Sequence, residues 1–164
     1  MAVASSGTAT VTLPTDEQIL ITREFDAPKD LVYKAYTTPE LVRRWWHAKR
    51  GEMTVAEIDL RVGGVWRYVM VANGGFEVAF HGEYREIVRN ERILQTEFYE
   101  GAEADEADAP LNIVTFSEAD GRTTLTILTQ CNSKALRDMI IETGMEDGAQ
   151  DALDLMEEVA ISLR

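Results

Sequence analysis

The chain has little that could crosslink it, hold a metal or anchor it in a membrane. A single cysteine, Cys131, excludes an internal disulfide and suits a reducing, cytoplasmic setting. The two histidines, His47 and His81, stand apart, and no spacing of His, Cys, Asp and Glu brings several ligands together. No metal and no other cofactor is therefore expected. There is no Gly-x-Ser-x-Gly elbow, and the pairs Gly63-Gly64 and Gly74-Gly75 do not lead into a helix at phosphate-loop spacing. No apolar run approaches the roughly 18 residues that a membrane span needs. Positive charge is also scarce: 16 Lys and Arg stand against 29 Asp and Glu, a net charge of −13. Phosphate backbones and anionic lipid surfaces both call for clustered cations, so neither nucleic acid nor a membrane is expected as a partner. Acidity here reads first as solubility and self-repulsion.

What is present is a globular composition in a chain of 164 residues, 45% hydrophobic and 27% charged, enough for one sizeable core. Residues 1–16 are small, polar and rich in Ser and Thr, and read as a flexible leader. Residues 17–164 read as one domain. Ile19, Ile21, Arg23 and Phe25 alternate with Leu20, Thr22 and Glu24 in a first strand. Pro28 and then Thr38-Pro39 open two short helices, the second ending at Trp45-Trp46. About six further strands follow, with turns at Gly63-Gly64, Asn73-Gly74-Gly75, Arg89-Asn90-Glu91 and Ala119-Asp120-Gly121. Gly82 interrupts one strand and marks a bend. In the strand at 92–99, Leu94, Thr96 and Phe98 are assigned to the concave face. Residues 100–110 are acidic and read as a solvated loop. Asn132-Ser133 caps a final helical region, in which Gly148 precedes a stripe of Ala149, Leu153, Met156 and Ala160. Asp154, Glu157 and their acidic neighbours fall mostly on the opposite face. Strands in series closed by a terminal helix indicate an α+β fold: a curved antiparallel sheet of six or seven strands wrapped around a long C-terminal helix.

Several motifs fit this order. They are Arg23-Glu24-Phe25-Asp26-Ala27-Pro28, Val32-Tyr33-Lys34-Ala35-Tyr36, Thr38-Pro39-Glu40-Leu41, Asp59-Leu60-Arg61-Val62-Gly63-Gly64 and Gly82-Glu83-Tyr84-Arg85-Glu86-Ile87-Val88. Glu91-Arg92-Ile93-Leu94 and Arg122-Thr123-Thr124-Leu125-Thr126 extend the match toward the C-terminus. Together they resemble the START-like, or SRPBCC, superfamily with its helix-grip fold, and within it the family named for homology to the activator of the heat-shock-protein ATPase. That resemblance implies an interior ligand pocket. One departure is clear: the family often has Gly-Trp at the start of the last helix, and here Gly148 is followed by Ala149. The smaller residue either enlarges the pocket or leaves space for Met145, Trp66 or another large side chain.

The candidate lining combines Trp45, Trp66, Tyr68, Phe80, Phe98 and Phe116 from the sheet side with Met145, Ala149, Leu153 and Met156 from the helix. Each is first a core residue; as a set on a curled sheet, aromatics suit stacking on a flat apolar ligand. Trp45 and Trp46 are adjacent, so one of them faces the cavity mouth. Arg67, Gln95, Glu57 and Asp59 are the candidate buried polar groups. No catalytic residue is assigned. The leading expectation is binding of a small apolar or aromatic molecule. An enzyme of the polyketide cyclase/aromatase or hydrolase kind, using the same cavity, is the alternative. A co-chaperone that stimulates a chaperone ATPase ranks third, and its chaperone partner is the least expected. Edge strands can pair, so a homodimer is compatible with the reading.

Overall fold

The computed structural model describes residues 8–102 and 104–164. In chain order its elements are β1 (Thr10–Thr12), β2 (Gln18–Phe25), α1 (Lys29–Thr37), α2 (Pro39–Val42), β3 (Gly51–Ile58), β4 (Val65–Ala72), β5 (Glu77–Val88), β6 (Arg92–Thr96), β7 (Phe98–Tyr99), β8 (Leu111–Ala119), β9 (Arg122–Gln130), α3 (Lys134–Glu142) and α4 (Met145–Ser162). The strands form one sheet in the order β1-β2-β9-β8-β6-β5-β4-β3, with β7 added beside β5. Every pairing is antiparallel. This is the α+β helix-grip arrangement that the residue pattern predicts.

Three differences from the sequence reading have simple causes. First, the sheet has nine strands among the described residues, because two very short ones, β1 and β7, carry too few residues for a periodic signal. Second, β1 lies inside the stretch read as a leader; Ala9 beside it is buried and exchanges two hydrogen bonds with the Gln150 side chain, at 2.9 and 2.7 Å. Residues 1–7 of that leader lie outside the described residues. Third, α4 begins at Met145 rather than after Gly148. Gly144, at φ 82°, is the residue that separates α3 from α4. That left-handed conformation favours glycine. Ser133 caps α3 as read, its side chain accepting the Leu136 N–H.

The sheet's concave face carries Ile19, Ile21, Arg23 and Phe25 from β2, and Thr123 and Leu125 from β9. Val114 and Phe116 of β8, Ile93 and Gln95 of β6, and Trp66 and Tyr68 of β4 continue it. Leu153, Met156, Val159 and Ala160 of α4 cover this face, and Val32, Tyr33 and Ala35 of α1 pack into the same core. Asp154 and Glu157 differ from their acidic neighbours on α4, although Asp154 stays partly exposed. Both turn to the buried Arg23, whose Nη1 meets Asp154 at 2.7 Å and whose Nη2 meets Glu157 at 3.0 Å. A cation on the concave face needs a counter-charge, and α4 supplies it.

Gly82 lies where β5 passes closest to its neighbours. A Cβ there would stand 1.8 Å from the Thr96 carbonyl oxygen and 2.6 Å from the Trp66 indole nitrogen. Trp66 donates that N–H to the same carbonyl at 3.1 Å. The missing side chain therefore makes room for the indole and its hydrogen bond. The register shift between β5 and β6 follows directly, between Tyr84 and Glu86.

Two stability outcomes follow. Arg23→Met leaves Asp154 and Glu157 without their buried partner and should lower unfolding free energy by about 3 kcal/mol. Gly82→Ala should cost about 3 kcal/mol by overpacking. Urea denaturation measures both, and a loss below about 1 kcal/mol in either variant would contradict the assignment.

Candidate functional site

The concave face is mostly apolar over β2, β8 and β9, with Arg23, Asn112 and Thr123 as exceptions, and becomes more polar and aromatic toward β4, β5 and β6. Tyr36, on the last turn of α1, donates its hydroxyl to Gln95 Oε1 at 3.0 Å. Gln95 pairs across the ladder with Asn112, which sits on the same face. Asn112 donates its amide to Glu97 Oε1 at 2.5 Å and accepts the Thr129 hydroxyl at 2.7 Å. The Glu97 carboxyl thus enters the interior from the short break between β6 and β7. Its second oxygen has no partner among the described residues, and neither has the Tyr68 hydroxyl.

Electrostatics marks the same group. Burial pushes the Glu97 carboxyl above its ordinary pKa, against the Asn112 hydrogen bond that lowers it. Tyr36 and Tyr68 are held well above the ordinary phenol value, chiefly by burial, and each also feels Tyr84 or its fellow tyrosine and the charge of Glu97. Glu97 and Tyr36 lie deep among protein atoms, yet both keep part of their surface open. Trp46 and Phe80 are likewise half-buried. Trp46 meets Tyr68 and Phe80 edge-to-face, with ring centroids 5.5 and 5.6 Å away. These residues form an aromatic wall with one carboxyl beside it, several of them half-buried.

The predicted lining divides between this site, the core and the outer surface. Tyr68 and Phe80 belong to the site, and Trp66 stacks obliquely on Tyr68 at 4.7 Å. Phe116, Leu153 and Met156 are buried in the core, Phe116 against Tyr33 and Tyr36. Trp45 is also core: it is 5% exposed and donates its indole N–H to the Ala35 carbonyl at 2.9 Å. Its neighbour Trp46 is the half-buried tryptophan, set against Tyr68 and Phe80. Phe98 is a correction, since it pairs with His81 on the outer face, ring to ring at 5.2 Å. The phase of residues 92–99 is reversed from the one expected: Ile93, Gln95 and Glu97 face inward, and Tyr99, on the same side as Phe80, stays exposed.

Of the other polar candidates, Gln95 is interior, whereas Arg67 lies outside and Glu57 and Asp59 are exposed. Tyr36, Glu97 and Asn112 were missed. The signal for them is the polar run Gln95 and Glu97, two residues apart, matched by Asn112 on the neighbouring strand.

Of the two outcomes left open at Ala149, an enlarged pocket or a refilled space, neither of two surface clefts favours the first, since Ala149 lines neither. Ala149 packs half-buried on the core. The larger of the two best-formed clefts, about 320 Å³, lies at the junction of β1 with α3 and α4, and Met145 lines it with Val11, Leu13 and Ile141. The second, about 180 Å³, is on the outer face beside His81 and Phe98.

The family model described as activator of Hsp90 ATPase homolog 1-like protein matches residues 26–160. The chain belongs to that family. Its members' helix-grip architecture recurs in solved structures. A protein from Rhodobacter sphaeroides superposes with a TM-score of 0.86 at 18% identity, over 94% of this chain and 99% of its own. Protein Ms6760 from Mycobacterium smegmatis gives 0.82 at 24% identity, covering 92% and 96%. Protein CV1439 from Chromobacterium violaceum gives 0.76 at 25% identity, covering 89% and 98%. Comparison with curated proteins found no match. No helix among the described residues is long and apolar enough to cross a membrane.

On this activator-homologue fold, the outer face opposite Glu97 carries an ionic latch. Arg67 binds Glu100 through two hydrogen bonds, at 2.9 and 3.0 Å. His81 bridges Glu100 at 2.8 Å and Glu106 at 2.7 Å, so these two acidic residues are fastened to the sheet rather than simply solvated. Partial burial would lower the His81 pKa, but hydrogen bonds to Glu100 and Glu106 outweigh it and raise the value. Arg67 first, and then His81, hold the Glu100 carboxyl down at about 2.

Because the folded His81 value lies above its ordinary 6.5, its contribution is complete below that pH and is lost as pH rises through the folded value. The Glu100 contribution is complete above its ordinary 4.5 and is lost as pH falls toward 2. The latch is therefore strongest between pH 4.5 and 6.5. His81→Gln should cost about 1 kcal/mol at pH 5.5 and less at pH 8, given the partial solvent screening. An NMR titration placing His81 at or below 6.5 would contradict this account.

Proposed function

We propose that the protein binds a small, largely apolar molecule against the wall formed by Tyr36, Trp46, Tyr68 and Phe80. The observation that carries this reading is the state of two polar groups on that wall. The Glu97 carboxyl and the Tyr68 hydroxyl are deep in the fold, and each keeps hydrogen-bonding capacity that no described residue uses. Both free atoms stay in reach of solvent, where the polar end of a ligand can take the place of water. The apolar side chains beside them supply contact area, and the polar pair supplies orientation.

Trp46 is the side chain that must yield on binding. It sits on the turn after α2, where Ala48 and Lys49 take φ values of 51° and 62°. Left-handed φ at residues other than glycine is strained backbone, and such strain is common at ligand clamps. Arg50, at the end of this turn, reaches α4 through Asp151 at 2.8 Å.

A second reading has one specific observation behind it. A carboxyl whose pKa is raised by burial, set among tyrosines, is suited to general acid–base chemistry of the cyclase or hydrolase kind. Binding comes first because it needs no group beyond those present.

Titration with 2-naphthol or 1-decanol tests the binding reading. At ten times Kd, either ligand should raise Tm by about 4 °C. It should also change tryptophan emission, and Trp46→Phe should remove most of that change. Flat melting curves and unchanged emission with both compounds would refute binding at this site.

A further inference from the structure

Resting on that reading, we propose that the site selects a small organic cation: a protonated amine on an apolar or aromatic body, with its ammonium at Glu97 and its body against Trp46, Tyr68 and Phe80.

The argument begins with the charges available inside. Among the described residues, Arg23 is the one basic side chain on the concave face, and it is committed to Asp154 and Glu157. Arg67, the nearest cation along β4, points to the opposite face and is held by Glu100. A carboxylate or phosphate ligand would therefore meet no counter-charge in the interior. It would meet Glu97 instead, inside a molecule of net charge −13. An ammonium group meets the reverse situation. The open oxygen of Glu97 offers a charge-assisted hydrogen bond. The unpaired hydroxyl of Tyr68 can accept a second.

The aromatic geometry adds to this. Trp46 stands edge-on to both Tyr68 and Phe80, at 64° and 72° between planes, and Tyr99 leans on Phe80 at 5.1 Å. Rings crossed in this way turn π faces in several directions, and cations are attracted to such faces. Glu97 is also the group that needs a cation most: burial disfavours its charged form, and the Asn112 amide is the one donor it has. A bound ammonium compensates that desolvation, whereas a neutral ligand does so only in part.

Three probes with one body separate this inference from the reading beneath it: 4-phenylbutylamine, 4-phenylbutanol and 4-phenylbutyrate, titrated by calorimetry at pH 7.5. The expected order is amine, then alcohol, then carboxylate, with the amine about tenfold or more tighter than the alcohol. Glu97→Gln should weaken the amine about tenfold and the alcohol much less, bringing the two affinities together. Glu97→Asp should retain part of the preference. Equal binding of amine and alcohol, or a preference for the carboxylate, overturns the cation inference while leaving the binding site in place. A preference that survives in Glu97→Gln overturns it as well. Failure of all three probes to bind refutes both. The wild-type comparison decides the matter even where a variant does not fold.

Discussion

Arg23 lies beneath α4 with 1% of its surface exposed, bound to Asp154 and Glu157 on successive turns of that helix. Glu157 also accepts the Asp26 N–H at 2.8 Å with its other oxygen, so one carboxylate ties both the guanidinium and the end of β2. Taking a charge out of water is costly unless it is paired and hydrogen-bonded, and removing a partner is costlier still. The helix can therefore occupy one rotation and one axial position over β2. The remaining packing, with Leu153, Met156, Val159 and Ala160 facing inward, is set by that registration. The N-terminal half of α4 is held differently. Its ties are the Gln150 bonds to Ala9 and the exposed pair of Arg50 with Asp151. Exposed pairs contribute little. The C-terminal half of the helix is thus tied to β2 through buried partners, and the N-terminal half through more exposed ones.

The inner site and the outer latch are consecutive turns of one strand. Successive residues in a strand point to opposite faces. Glu97 points in, Phe98 out beside His81, Tyr99 to the same side as Phe80, and Glu100 out to Arg67 and His81. The Glu100 N–H also binds the Ala79 carbonyl at 2.9 Å. Fastening Glu100 on the outside thus fixes where Glu97 stands on the inside, three residues earlier. Glu100 and Glu106 of the acidic stretch support the inner face in this sense from the outside.

The architecture was legible because the elements that make it are long and periodic. The eight residues of β2 and the eighteen of α4 each present a face that repeats several times, and Ser133 and Gly144 mark helix ends by local chemistry. Short elements carry no such repetition. The three residues of β1 pair with β2 through backbone bonds alone, and a polar sequence hides them. Among acidic residues of α4, which one turns inward depended on a cation contributed from 131 residues away, at Arg23. No helical periodicity contains that information.

The misplaced strand shows something more general about the site. Between residues 92 and 99 both faces are mixed: one offers Leu94, Thr96 and Phe98, the other Ile93, Gln95, Glu97 and Tyr99. Hydrophobicity favours burying the first set. The structure turns Ile93, Gln95 and Glu97 inward and leaves Tyr99 exposed, because Gln95 finds Tyr36 and Glu97 finds Asn112, partners that lie on an early helix and a later strand. A polar residue can be placed inside only when its partner is known, and partners distant in sequence are not. The strand where the pattern reverses is therefore the strand where the interior stops being ordinary core. Local rules that fail against a structure tend to do so at functional sites. Here the failure falls on Glu97, the one carboxyl on the aromatic wall with an oxygen still free to bind.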